Sequence, residues 1–154
     1  DQFQPGYKYA DWEMRGAPVR LEIGPRDLAS GSAVLARRTG GKKESVPLAG
    51  LGPPMIAAMD QMQTDLLKAA LARREAATIR GATKEQFIAK MENEGGLVYG
   101  GFCGRPECEA EIKEQTKATI RVLPDPEFRS PVAPTKCMWC GRPSVAEAVW
   151  AKAY

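Results

Sequence analysis

Gly101-Phe102-Cys103-Gly104-Arg105-Pro106-Glu107-Cys108, followed after 28 intervening residues by Cys137-Met138-Trp139-Cys140-Gly141, contains every cysteine in the chain. The pattern is C-x4-C and then C-x2-C, two half-sites of two sulfurs each. A C-x2-C turn presents two sulfurs from one tight loop, and the glycine after it permits the positive φ that such a turn needs. Zinc takes four tetrahedral ligands, and thiolates are its softest common ones. The spacing therefore favours one zinc ion on Cys103, Cys108, Cys137 and Cys140. Two disulfides, a redox C-x2-C, an iron–sulfur centre and unpaired thiols are the alternatives. Disulfides require an oxidising compartment and no export signal is visible, while a redox pair leaves the other two cysteines unexplained. A closed four-thiolate site leaves no position for water, so the expected role is structural.

Around these half-sites lies an ordinary globular composition. The chain has 154 residues, 44% hydrophobic and 27% charged, enough apolar material for a packed core. No run of about 18 apolar residues occurs, so no membrane span is expected. Histidine is absent, which excludes Ser-His-Asp and Cys-His catalysis and His-ligated metals. There is no glycine-rich phosphate loop. The first residue is Asp1, not Met, and the chain is expected to be a fragment. Net charge is +3, all of it within residues 1–43, and a bias of this size does not by itself indicate nucleic-acid binding.

Upstream of the cysteines, residues 6–15 predict a short helix closed by Gly16, with Tyr9 and Trp12 three apart. Trp12 is expected to be a core aromatic. Val19-Arg20-Leu21-Glu22-Ile23 alternates apolar and charged residues and predicts a half-buried strand. Gly24 to Asp27 reads as a turn, Ser32 to Arg37 as a strand, Gly40-Gly41 as a hairpin turn and Glu44 to Val46 as a third strand. Three short strands and one helix are too little for a covered sheet, so this segment looks like the second half of a domain. Pro53-Pro54 opens a long helix whose Ile56, Met59, Met62, Leu66, Leu67, Ala70 and Leu71 mark one apolar face. Thr83 and Gln86 form a capping-box pattern ahead of a helix that ends at Gly95-Gly96. A strand over 97–102, a helix over 106–117, strands over 119–123 and 145–152 and a proline-rich loop over 124–135 complete the reading.

Two blocks of sequence carry a resemblance. Pro5-Gly6-Tyr7-Lys8-Tyr9-Ala10-Asp11-Trp12-Glu13, continuing through Gly24-Pro25-Arg26-Asp27-Leu28, resembles the anticodon-binding domain of prolyl-tRNA synthetases of the archaeal/eukaryotic-like subtype. Gly101-Phe102-Cys103, Cys108-Glu109, Thr119-Ile120-Arg121, Cys137/Cys140 and the ending Ala151-Lys152-Ala153-Tyr154 are similar to that subtype's C-terminal zinc-binding domain. The implied fold is α/β then α+β: a partial class II synthetase anticodon-binding α/β domain, then a small zinc-binding α+β domain. The expected division is 1–52 for the C-terminal half of the anticodon-binding domain, 53–80 for a connecting helix and 81–154 for the zinc-binding domain.

The resemblance implies that the parent enzyme ligates proline to its tRNA with ATP. The class II motifs of the catalytic domain are absent here, so this segment alone is expected to be inactive, with no catalytic residue of its own. ATP and Mg2+ belong to that missing domain. Tyr9, Glu13, Arg20, Arg26, Asp27 and Lys42 match the family's anticodon-contacting positions, where two guanines are read. The chemistry is apt: unstacked bases stack on rings, carboxylates accept from guanine N–H groups, and cations donate to guanine acceptors or phosphates. Tyr154 is implied to carry its carboxylate to the active site; the plainer reading makes the last strand a sheet edge with an exposed end. Implied partners are the tRNA for proline and the parent's own catalytic domain, in a homodimeric, cytoplasmic enzyme without membrane or DNA contacts. The competing reading is a stand-alone zinc-ribbon module that binds a protein partner.

Overall fold

In the computed structural model, which describes residues 2–153, the chain forms two compact units, residues 1–69 and 70–154. In the first, helix α1 (Pro5–Met14) begins with Pro at its first position, where the missing N–H costs nothing. It ends in a Schellman motif: Ala17 N–H donates to Trp12 O and Gly16 N–H to Glu13 O, each at 3.0 Å. Strands β1 (Val19–Glu22), β2 (Ser32–Arg37) and β3 (Glu44–Pro47) form an antiparallel sheet in the order β1-β2-β3. Leu21 pairs with Leu35 and Ala33 with Val46. Ala33, Leu35 and Val46 are the buried core, with Leu21, Leu48, Leu51, Met55 and Ala58 packed against them. The expected turn after β1 is instead a five-residue helix, α2 (Pro25–Ala29), because Asp27 Oδ2 accepts from Gly24 N–H at 2.8 Å and caps its first turn.

Helix α3 (Gly52–Ala76) is the expected long helix, but its apolar face is mostly uncovered. Met62 is buried, whereas Ile56, Leu66, Leu67 and Leu71 are exposed. Periodicity identifies the apolar side of a helix; it does not supply a partner to cover that side. Trp12 departs from expectation for the same reason. It is 60% exposed and is not a core aromatic; the Arg15 guanidinium carbon sits 5.3 Å from its ring centroid.

The second unit is built on a four-stranded sheet in the order β4-β5-β7-β6. Its strands are β4 (Thr78–Arg80), β5 (Leu97–Phe102), β6 (Ala118–Val122) and β7 (Ala146–Lys152). β4 and β5 are parallel and joined through helix α4 (Lys84–Glu92); the other pairings are antiparallel. β4 was not foreseen, being three residues long and following directly on α3. The capping box does form: Gln86 N–H donates to Thr83 Oγ1 and Thr83 N–H to Gln86 Oε1. Helix α5 (Pro106–Thr116) connects β5 to β6 and stops at Lys117, which takes the left-handed φ of 61°. β7 is an interior strand, not the sheet edge of the plainer reading, and its run Glu147–Ala151 is buried throughout. A strand covered on both faces reads as a continuous apolar run. Trp150 centres this core, with Phe87 and Phe102 edge-on to it at 6.3 and 5.6 Å. Among the described residues no helix is long and apolar enough to cross a membrane.

Candidate functional site

Two sites emerge, one in each unit. In the first unit, Tyr9 and Glu13 lie one helical turn apart on α1 and so share a face. With Lys8, Trp12, Arg20 and Arg38 they line a cavity of about 380 Å³, floored by Ala17, Val19 and Ala36. Arg20 reaches this cavity from β1. Its guanidinium carbon lies 4.4 Å from the Tyr9 ring centroid, its Nη1 pairs with Glu13 Oε1 and its Nε donates to Glu22 Oε1 at 2.9 Å. Arg20 and Glu22 share a face of the strand because side chains alternate along it. Lys43 closes the series, donating from Nζ to both Glu22 oxygens at 2.8 and 2.7 Å.

The result is an alternating chain of charge, Glu13–Arg20–Glu22–Lys43. The hydrogen bond to Glu22 raises the Arg20 pKa; burial opposes it and the Glu13 charge adds to it. Glu22 is held below the ordinary carboxylate range, chiefly by the Lys43 hydrogen bond and against partial burial. The site therefore presents an aromatic ring, a fixed cation and a carboxylate acceptor side by side. That combination suits an unstacked base.

Three of the six expected contact residues are thus gathered: Tyr9, Glu13 and Arg20. Arg26 and Asp27 lie on α2, and Lys42 in the exposed loop between β2 and β3; none of the three lines the cavity. Asp27 commits one oxygen to capping α2. Glu22 and Lys43 were missed. Only the strand alternation that puts Glu22 beside Arg20 hinted at them.

In the second unit the four cysteines converge. Cys103 leaves the end of β5, Cys108 sits in the first turn of α5, and Cys137 and Cys140 flank a tight turn closed by Gly141 N–H to Cys137 O at 3.0 Å. Gly141 has a φ of 69°, the conformation expected of the glycine after the C-x2-C pair, and Gly104, after Cys103, has a φ of 75°. The four Sγ atoms lie within 4.8 Å of one another, with Cys108–Cys137 at 3.7 Å and Cys103–Cys140 at 3.6 Å. These separations are well beyond a disulfide bond length, and none of the four is disulfide-bonded in this arrangement. Burial raises the Cys108 thiol pKa, with Cys137 adding to it. Burial acts the same way on Cys137, but N–H groups of Cys140 and Trp139 aimed at its sulfur bring it down to about 7. Four sulfurs this close form a donor set that can hold a metal ion, and a cation relieves the repulsion among thiolates.

The turn is locked from both sides. Trp139 is buried, donates its indole N–H to Glu111 of α5 at 2.9 Å, and carries Lys84 of α4 over its ring at 3.9 Å. Met138 N–H donates to Gly101 O at 3.0 Å, tying the turn to β5. None of these partners was legible from the cysteine spacing.

Comparison with known proteins identifies the families to which the two segments are similar. Residues 2–53 match the family described as anticodon binding domain, and residues 84–154 match the family described as prolyl-tRNA synthetase, C-terminal. These two matches define an anticodon-binding domain followed by a C-terminal domain that carries the clustered cysteines. The chain belongs to the prolyl-tRNA synthetase family. It is 42% identical over 154 residues to a proline–tRNA ligase of Cenarchaeum symbiosum, covering 100% of this chain and 31% of that protein. A proline–tRNA ligase of Prosthecochloris aestuarii is 40% identical over 159 residues, covering 100% of this chain and 33% of the relative. Proline–tRNA ligase 2 of Clostridioides difficile is 38% identical, covering 100% and 31%. The chain thus spans about a third of the length of the curated relatives it matches.

Proposed function

We propose that this chain reads the anticodon of the tRNA for proline and supplies the zinc-stapled C-terminal domain of a cytoplasmic proline–tRNA ligase. In that enzyme, proline is activated with ATP and Mg2+ in the catalytic part and joined to its tRNA. Residues 1–52 serve as the second half of the anticodon-binding domain, 53–80 as the connector and 81–154 as the metal-stapled domain. The parent enzyme is a homodimer. The observation that carries this reading is the Tyr9–Arg20–Glu13 cluster, inside the segment that matches an anticodon binding domain.

In this reading Tyr9 stacks on one base of the anticodon, Glu13 accepts from guanine N1–H and the exocyclic amine, and Arg20 donates to guanine acceptors. Arg26, Asp27 and Lys42 contact the flanking nucleotides, with phosphates and ribose as the chemistry their side chains suit. Zinc fits the cysteines: thiolates at Zn–S distances of about 2.3 Å around a tetrahedron stand about 3.8 Å apart, close to the 3.6 and 3.7 Å seen here. Bound there, zinc supplies cross-linking, not chemistry, holding β5 and α5 to the Cys137–Cys140 turn. Tyr154, which lies outside the described residues, is proposed to reach the active site from the end of β7. The match of both halves to synthetase families leaves the stand-alone zinc-ribbon module without support.

Steady-state kinetics on the intact enzyme test this. Arg20→Ala should raise KM for tRNA while leaving proline activation, read by ATP–pyrophosphate exchange, unchanged. Equal loss in both assays would defeat the anticodon assignment.

A further inference from the structure

We infer that Arg38 grips a backbone phosphate of the RNA whose base enters the Tyr9–Glu13–Arg20 cavity; this rests on the anticodon reading above. Arg37 and Arg38 are neighbours with different surroundings. Arg37 is half-buried between Glu44 and Asp65, each 3.9 Å from its guanidinium. Arg38 continues the sheet ladder by one residue, its N–H donating to Pro18 O at 2.9 Å, so its side chain emerges on the opposite face. There it lines the same cavity as Trp12, Glu13 and Arg20. Its Nη1 lies beside the α1–β1 turn, 3.7 Å from where a methyl group on Gly16 would sit. Arg38 is exposed, and among the described residues no carboxylate lies within ion-pair distance of it.

The charge balance of the cavity gives that guanidinium its role. Arg20 is already shared between Glu13 and Glu22. A base entering the cavity brings its own phosphate, and Glu13 repels it. An uncommitted guanidinium at the rim, in a cavity that Lys8 also lines, supplies counter-charge with a fork geometry suited to phosphate oxygens. Such a contact positions the chain without reading the base.

The test is binding of the intact synthetase to proline tRNA, titrated across roughly 50–200 mM salt, with the normal anticodon and with its guanines replaced by inosine. Arg38→Ala should weaken both RNAs by the same factor, roughly tenfold, as expected for a lost charge-assisted contact. It should also flatten the slope of log K against log salt by about 0.7, the single-strand value for one phosphate. Arg38→Lys should keep most of that slope. An unchanged slope in Arg38→Ala, with wild-type discrimination between the two RNAs intact, overturns the inference alone. Selective loss of the guanine RNA would make Arg38 a base reader and overturn it too. A wild-type enzyme that fails to discriminate would overturn the anticodon reading and this inference with it.

Discussion

Glu22 holds Arg20 from the strand side, accepting its Nε at 2.9 Å, while the opposite edge of the same guanidinium pairs with Glu13. Arg20 is therefore fixed in position before any ligand arrives, with the Tyr9 ring beneath it. A cation oriented in advance loses less rotamer freedom on binding than one that must be ordered by its ligand.

Glu22→Gln is expected to leave the fold intact and weaken tRNA binding, because Arg20 loses its anchor and Lys43 its partner. The effect has a pH signature. The Glu22 pKa is lowered from 4.5, so its contribution is fully present above about that value and fades as pH falls toward the folded pKa. Folding stability followed downward from neutrality should therefore drop more steeply below about pH 4.5 in wild type than in Glu22→Gln. Parallel profiles would remove Glu22 from the site.

The cysteine cluster predicts one zinc per chain and a fold that depends on it. Cys140 is exposed, so Cys140→Ser removes a ligand with little loss of packing. Zinc content measured by atomic emission should fall, and circular dichroism should show the second unit loosening before aminoacylation is lost. A variant or chelated protein that keeps its circular dichroism spectrum and melting profile would show that the metal has no structural part.

Gly101 illustrates a constraint that no spacing rule conveys. It lies in β5, where a side-chain carbon would collide with the Lys136 carbonyl just ahead of the Cys137–Cys140 turn. Gly101→Ala should force that backbone apart, costing about 1–3 kcal/mol as overpacking commonly does. Reactivity of the four thiols toward a colorimetric reagent in the metal-loaded protein should rise accordingly. Unchanged protection would mean that the turn has room to shift.

Much of this architecture was legible because local chemistry and tertiary structure agree. The Thr83/Gln86 box, the proline at the start of α5, and the glycines after Cys103 and Cys140 each specify their local geometry. The cysteine spacing foretold a cluster that the fold does assemble. What was not legible depends on distant partners. β4 exists only because β5 lies beside it, and α3 shows an apolar stripe whose cover the periodicity cannot name. Trp12 has the composition of a core residue and the exposure of a surface one. At the candidate anticodon site, the helix spacing of Tyr9 and Glu13 was readable, but Lys43 joins through Glu22 across 21 residues of sequence.

The most direct measurement is the affinity of the intact synthetase for proline tRNA with its two anticodon guanines, against the same tRNA carrying inosine there, for wild type and Glu13→Gln. Inosine lacks the exocyclic amine that the Glu13 carboxylate is proposed to accept from. Wild type should prefer guanine by roughly tenfold or more, on the order of the 1–3 kcal/mol that a good bidentate base contact provides, and Glu13→Gln should lose most of that preference. Equal affinity of wild type for both RNAs, or full discrimination retained in Glu13→Gln, would contradict the account.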